Sequence, residues 1–124
     1  MENNTKILEE EFEKVKNEII NIGYLKKGSI VKCYQTCGTA SCKCHKDKQF
    51  RHGPYLWLTS KNNGKTKSIL IPEQLLPEVK SYIENFNLLK SKVAVLEEIS
   101  EKIIKIKIEI LRKELKKEKI NKNW

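Results

Sequence analysis

A chain of 124 residues with 39% hydrophobic and 33% charged residues is thin for one large core, and it carries a net charge of +9. No apolar run approaches the roughly 20 residues of a membrane span, and residues 1–13 are polar and acidic where a signal peptide is basic and then apolar. These features argue against a membrane or secreted protein. The expectation is a cytoplasmic protein of one domain, or a small module with a helical arm, stabilised by a metal, by oligomerisation or by both.

Thr5–Ile22 reads as an amphipathic helix. Leu8, Phe12, Val15, Ile19 and Ile22 recur at 4-3-4-3 spacing, which places them on one stripe. Asn3, Asn4 or Thr5 is the expected N-cap, Glu9, Glu10 and Glu11 suit the positive end of the helix dipole, and Gly23 is the expected stop. A first strand is expected over Gly28–Tyr34, where β-branched Ile30 and Val31 lie between turn residues.

All four cysteines and both histidines of the chain fall between Cys33 and His52. In a reducing compartment this density favours a metal over disulfides. The stretch reads as a structural zinc site, with Cys37, Cys42, Cys44 and His52 the preferred ligands in the spacing Cys-x4-Cys-x-Cys-x7-His. Cys33 is the alternate ligand, otherwise a small buried hydrophobe. His45 adjoins Cys44, and neighbours rarely reach one tetrahedral ion together, so it is expected to be solvated or to face phosphate. Gly38 is expected to supply backbone freedom beside a ligand.

Pro54–Thr59 is the second expected strand. Tyr55, Trp57 and Thr59 share one face, Leu56 and Leu58 the other. The aromatic face is expected to pack against the helices, with stacking on bases as the alternative. Lys61–Lys65 forms a hairpin around Asn63-Gly64, and Thr66–Ile71 returns as a third strand ended by Pro72.

From Glu73 to about Lys119 the period becomes helical. Leu75, Val79, Tyr82, Phe86, Leu89, Val93 and Leu96 step by fours and threes, and after one three-residue step Ile99, Ile103, Ile106 and Ile110 continue the seam. Pro77 belongs near the helix start. Ile104, Ile108 and Leu111 widen the apolar face, and residues 112–124 read as a frayed basic tail ending at Trp124. The first helix is too short to cover the whole seam, so a homodimer through the C-terminal helices is expected, against a helix folded back near Ser100.

The fold class is therefore α+β. A small three-stranded antiparallel sheet with a zinc-knuckle loop is flanked by an N-terminal helix and a long, coiled-coil-like C-terminal helix. The segments are 1–24 (helix), 25–72 (basic zinc-binding β module), 73–119 (dimerising helix) and 120–124 (basic tail).

Charge is uneven along these segments. Residues 1–25 hold three lysines against six glutamates, whereas residues 26–68 hold ten lysines and arginines against a single acid, Asp47. A compact basic module points to a polyanion, with DNA ahead of RNA. Lys32, Lys43, Lys46, Lys48, Arg51, Lys61, Lys65 and Lys67 are the candidate phosphate contacts. Catalysis is not expected. Four ligands close the metal shell, Asp47 is the only carboxylate within residues 26–68, and Cys44-His45 lacks an orienting third group.

Gly28-Ser-Ile-Val, Cys37-Gly38-x3-Cys42-x-Cys44, His52-Gly53-Pro54-Tyr55-x-x-Leu58, Gly64-Lys65-Thr66 and Ile71-Pro72-Glu73 together resemble a family of small proteins grouped as a domain of unknown function. The resemblance covers roughly residues 25–100 and places such proteins in bacteria, archaea and their mobile elements. It implies Cys37, Cys42, Cys44 and His52 as the zinc ligands and supplies no activity. Cys33 stands where the pattern suggests a basic residue, and His45 has no counterpart in it. The functional expectation is a non-enzymatic, zinc-stabilised nucleic-acid-binding regulator or accessory factor of a mobile element or phage. The other class is a protein-binding adaptor or inhibitor that blocks a host nucleic-acid machine.

Overall fold

The computed structural model describes residues 2–122. Helix α1 spans Glu2–Ile20, strands β1, β2 and β3 span Ser29–Gln35, His52–Asn62 and Lys65–Ile71, and helix α2 spans Leu76–Lys122. The expected order of helix, three-stranded sheet, Cys/His loop between its first two strands, and long helix is therefore present. The chain divides into two compact units. One is helical, formed by the residues up to Ile22 and those from Leu88 onward. The other, Gly23–Asn87, contains the sheet. Among the described residues no helix is long and apolar enough to cross a membrane.

In the helical unit α1 and α2 run antiparallel. Glu18 meets Lys92 at 2.6 Å, while Ile7 and Leu8 line a hollow with Lys102, Lys105 and Ile106. The α1 stripe is the expected one: Val15 is buried, and Leu8, Phe12, Ile19 and Ile22 are half-buried. Asn3, Asn4 and Thr5 lie inside α1 rather than capping it. The helix ends three residues before Gly23, through Asn21 and Ile22 amides bonded to the Glu18 and Ile19 carbonyls.

The α2 seam departs from the sequence pattern at two places: Leu75 lies in a 3-10 turn before α2 and is 45% exposed, and the second departure is at Val93. Val93 is 49% exposed, and Lys92 takes its place between half-buried Leu89 and Leu96. The three-residue phase shift thus falls before Lys92 rather than after Leu96, because the Lys92 stem lies along the seam while its ammonium reaches Glu18. Beyond it Ile99 is buried and Ile103, Ile106 and Ile110 are half-buried. α2 does not fold back at Ser100, whose hydroxyl bonds the Leu96 carbonyl at 3.0 Å. Nor does it fray at residue 112: the helix runs through Lys122, and Trp124 lies outside the described residues.

The sheet has the order β1-β2-β3 and is antiparallel throughout. β2 is longer than expected at both ends, starting at His52 and closing at Asn62, which pairs with Lys65. Asn63 and Gly64 make the two-residue turn with φ of 51° and 79°, as a type I′ hairpin requires. Pairing of Ile30 with Leu58, Leu58 with Ile69 and Leu56 with Ile71 puts these apolar side chains on one face. The core lies there, with Leu58 at 5% and Ile71 at 8% exposure. The aromatic face is the more open one: Trp57 is half-buried, but Tyr55, Val31 and Leu70 are exposed. This corrects the expectation of core packing for Tyr55, whereas Trp57 is half-buried with its indole nitrogen covered. Both faces are apolar, so alternation alone does not tell which one is covered.

At the start of β1 the backbone of Gly28 (φ 153°) passes so close to β2 that a Cβ would sit 2.7 Å from the Thr59 carbonyl oxygen. Further along, Tyr24 stacks edge-on against Tyr82 at 5.7 Å, and the Asn85 amide donates to the Tyr24 carbonyl at 2.7 Å. These contacts tie the segment before β1 to the first turns of α2 within the sheet unit.

Candidate metal centre

The loop between β1 and β2 is built from two short 3-10 turns, Lys43–His45 and Lys48–Phe50. Asp47 caps the second, its carboxylate accepting from the Gln49 amide at 3.3 Å. The loop returns into β2 at His52. Its turns are closed by local backbone hydrogen bonds, such as those from the Lys46 and Phe50 amides to the Lys43 and Asp47 carbonyls, and they bury no side chain but Cys44.

Cys37, Cys42, Cys44 and His52 converge, and their four donor atoms all lie within 4.8 Å of one another. They are close enough to hold a metal ion. The Cys37 and Cys44 sulfurs are 3.6 Å apart, and the Cys42 sulfur lies 3.4 Å from His52 Nε2. The sulfur separation is far beyond the roughly 2.05 Å of a disulfide, and all four cysteines are free thiols. Cys44 is the most buried side chain of the group, at 2% exposure.

The electrostatics divide the four donors into two kinds. A hydrogen bond with the Thr39 backbone, helped by bonds from Cys42, Cys44 and His52, lowers the Cys37 thiol to about 6. Cys42 is lowered too, chiefly by the Cys44 backbone amide and then by His52. At Cys44 the largest influence, the Cys37 amide donating at 3.3 Å, favours the thiolate, but burial and the neighbouring Cys42 and Cys37 sulfurs outweigh it and raise the thiol. His52 is raised by its bond to Cys42 and then by Cys37. The surroundings therefore favour the thiolate form at Cys37 and Cys42 and the protonated form at Cys44 and His52.

Cys33 stands apart, on β1 opposite Tyr55, with the Gln35 amide donating to its sulfur at 3.4 Å. His45, expected to be solvated or to face phosphate, is exposed and also bonds the Cys37 carbonyl through Nε2 at 2.9 Å. It braces the first ligand from across the loop, a role that no spacing rule signals. Gly38 has no positive φ and no atom within 4 Å of a would-be Cβ, so the expected need for glycine beside the ligand is not met there.

The basic candidates are exposed and fall into two sets. Lys43, Lys46, Lys48 and Arg51 lie on the metal loop, with the Lys43 ammonium 5.7 Å from the centre of the Phe50 ring. Lys32, Lys65 and Lys67 pair with Leu56, Asn62 and Ser60, so the three share one sheet face, while Lys61, opposite Thr66, belongs to the other.

No curated protein and no solved structure matches the chain. One family does, and the match runs over residues 5–81, from α1 through the whole sheet into the first turns of α2. More than half of the chain is covered, with the complete Cys/His cluster inside the matched span. The chain belongs to the family described as Domain of unknown function (DUF6788).

Proposed function

We propose that the protein is a non-enzymatic, zinc-stabilised nucleic-acid-binding protein that acts as a regulatory or accessory factor, with DNA favoured over RNA. Zinc is the ion because three thiolates and an imidazole are its usual structural donor set. Bond lengths of about 2.3 Å to sulfur and 2.0–2.1 Å to nitrogen put tetrahedral donors roughly 3.5–3.8 Å apart. The separations of 3.6 and 3.4 Å on two opposite edges of the cluster fit that shell. Four protein donors fill it and leave no position for a reacting water, which supports a structural ion.

The observation that carries the reading is the loop itself. Lys43, Lys46, Lys48 and Arg51 are all exposed on the segment that the cluster closes, with Asp47 the one acid among them. A bound ion would fix those charges in place, so that phosphate contacts cost little ordering. On the open sheet face Tyr55 and its exposed neighbours offer a surface on which a base can stack.

The test is fluorescence anisotropy of the zinc-loaded protein with random duplex DNA, single-stranded DNA and RNA across a salt series. Binding is expected at about 50 mM salt and should weaken steeply as salt rises. Changing Lys43, Lys46 and Lys48 to Glu together should weaken it at least roughly tenfold and flatten the salt slope, with the metal content unchanged. No binding to any of the three at about 50 mM salt overturns the proposal. In that case a stoichiometric, nuclease-insensitive protein partner would identify an adaptor or inhibitor.

A further inference from the structure

The seam expected to meet a second copy is, from Leu89 to Ile110, largely turned to α1. A second apolar row on α2 is not. Ile104, Ile108, Leu111 and Leu115 are 57, 43, 55 and 54% exposed and follow each other at 4-3-4 spacing. At 100° per residue this row lies roughly 130° around α2 from the line of Ile99, Ile103, Ile106 and Ile110. That angle leaves room for α1 on one side and another helix on the other. We propose that a second copy of this chain docks antiparallel on the Ile104–Leu115 face of α2.

Spacing argues for this occupant, and charge for this direction over the parallel one. The row has the heptad pattern of a helix-helix seam, and in an antiparallel pair it is self-complementary: Ile104 meets Leu115 of the second copy, and Ile108 meets its Leu111. On the flanks, Lys107 then faces Glu114 of the second copy, and Glu98 faces its Lys119. Lys105 facing Arg112 of the second copy, and Glu101 facing its Glu118, oppose them, and by the two-fold symmetry every one of these pairs occurs twice, so attraction and repulsion balance in number. The parallel order is worse. Glu97, Glu101 and Glu118 would each meet its own counterpart, Lys107 would face Arg112, and only Glu114 with Lys119 would attract.

Sedimentation velocity on the full, metal-loaded chain tests the proposal. A reversible dimer is expected between about 1 and 100 µM. The double substitution Ile108→Glu with Leu111→Glu should weaken it at least roughly 100-fold. Both positions are exposed, so helicity and metal content should stay as in the parent chain. Direction is read from Glu114→Lys combined with Lys119→Glu. In the antiparallel order this exchange replaces two attractive contacts by like charges and should weaken the dimer. A parent chain that stays monomeric over that range, or a dimer that survives the double glutamate substitution, overturns the proposed face. A dimer as strong as the parent's in the Glu114→Lys, Lys119→Glu chain overturns the antiparallel order.

Discussion

In the helical unit Val15 and Ile99 are buried on facing stripes that run the length of α1, and half-buried side chains continue on either side of them. In the sheet unit Leu58 and Ile71 are buried, and Leu56, Trp57, Val79, Tyr82 and Phe86 are half-buried, so the two units bury apolar side chains to a similar extent. They differ in the 16-residue loop from Thr36 to Arg51, where Cys44 is the one buried side chain and burial contributes little against the cost of ordering the segment. The helical unit can thus draw its stability from burial. In the loop of the sheet unit the side chains that converge are Cys37, Cys42, Cys44 and His52, and the ion proposed above would supply there what burial does not. On that proposal the loop and the helical unit depend on different physics, and the difference can be broken by perturbing one kind at a time.

The largest effect is expected on removal of the ion. Chelation, or Cys44→Ser, takes away a contribution on the order of 10 kcal/mol. Hydrogen-exchange protection of residues 29–71 should collapse while that of residues 89–110 survives. Loss of protection in both at once would show that they share one stability. The reverse perturbation is Ile99→Ala. It should cost the helical unit about 2–4 kcal/mol and lower its melting temperature, with the metal still at one ion per chain.

A third comparison lies inside the sheet unit. Gly28→Ala forces a Cβ against the Thr59 carbonyl and should destabilise the sheet by roughly 1–3 kcal/mol, whereas Gly38→Ala should change it by less than about 0.5 kcal/mol. The smallest effect belongs to Glu18. The hydrogen bond from Lys92 and its charge hold the Glu18 carboxyl below the usual glutamate range. A lowered carboxyl stabilises the fold above its unfolded value, and that contribution is lost as pH falls through the folded value. Lys92→Met should therefore lower the melting temperature near pH 7 by no more than about 3 °C, because the pair is partly exposed, and the difference should shrink as pH falls below the usual glutamate range.

Much of this molecule can be read from residue order. The row Leu8, Phe12, Val15, Ile19, Ile22 is visible because helical spacing and burial obey the same geometry. The Asn63-Gly64 hairpin is visible because few residues accept two positive φ angles in succession. The four clustered donors are visible because so short a segment holds every cysteine and histidine. Other features are set by the third dimension. Lys92 in the seam escapes a reading that counts only apolar residues. His52-Gly53-Pro54 resembles a break in the chain and is instead the start of β2. The choice of the Leu56/Leu58 face over the Tyr55/Trp57 face depends on what covers the sheet, and two apolar faces give the sequence no vote. His45 reaches the Cys37 carbonyl only because the intervening turns bring positions eight apart together.

The contrast among the donors of the Cys/His cluster bears on calorimetry. A cation that settles among the four donors displaces the hydrogens that the thiols and imidazole still carry, so loading acidifies a weakly buffered solution. The heat of titration should therefore vary with the ionisation enthalpy of the buffer, and a plot of one against the other would count the hydrogens expelled.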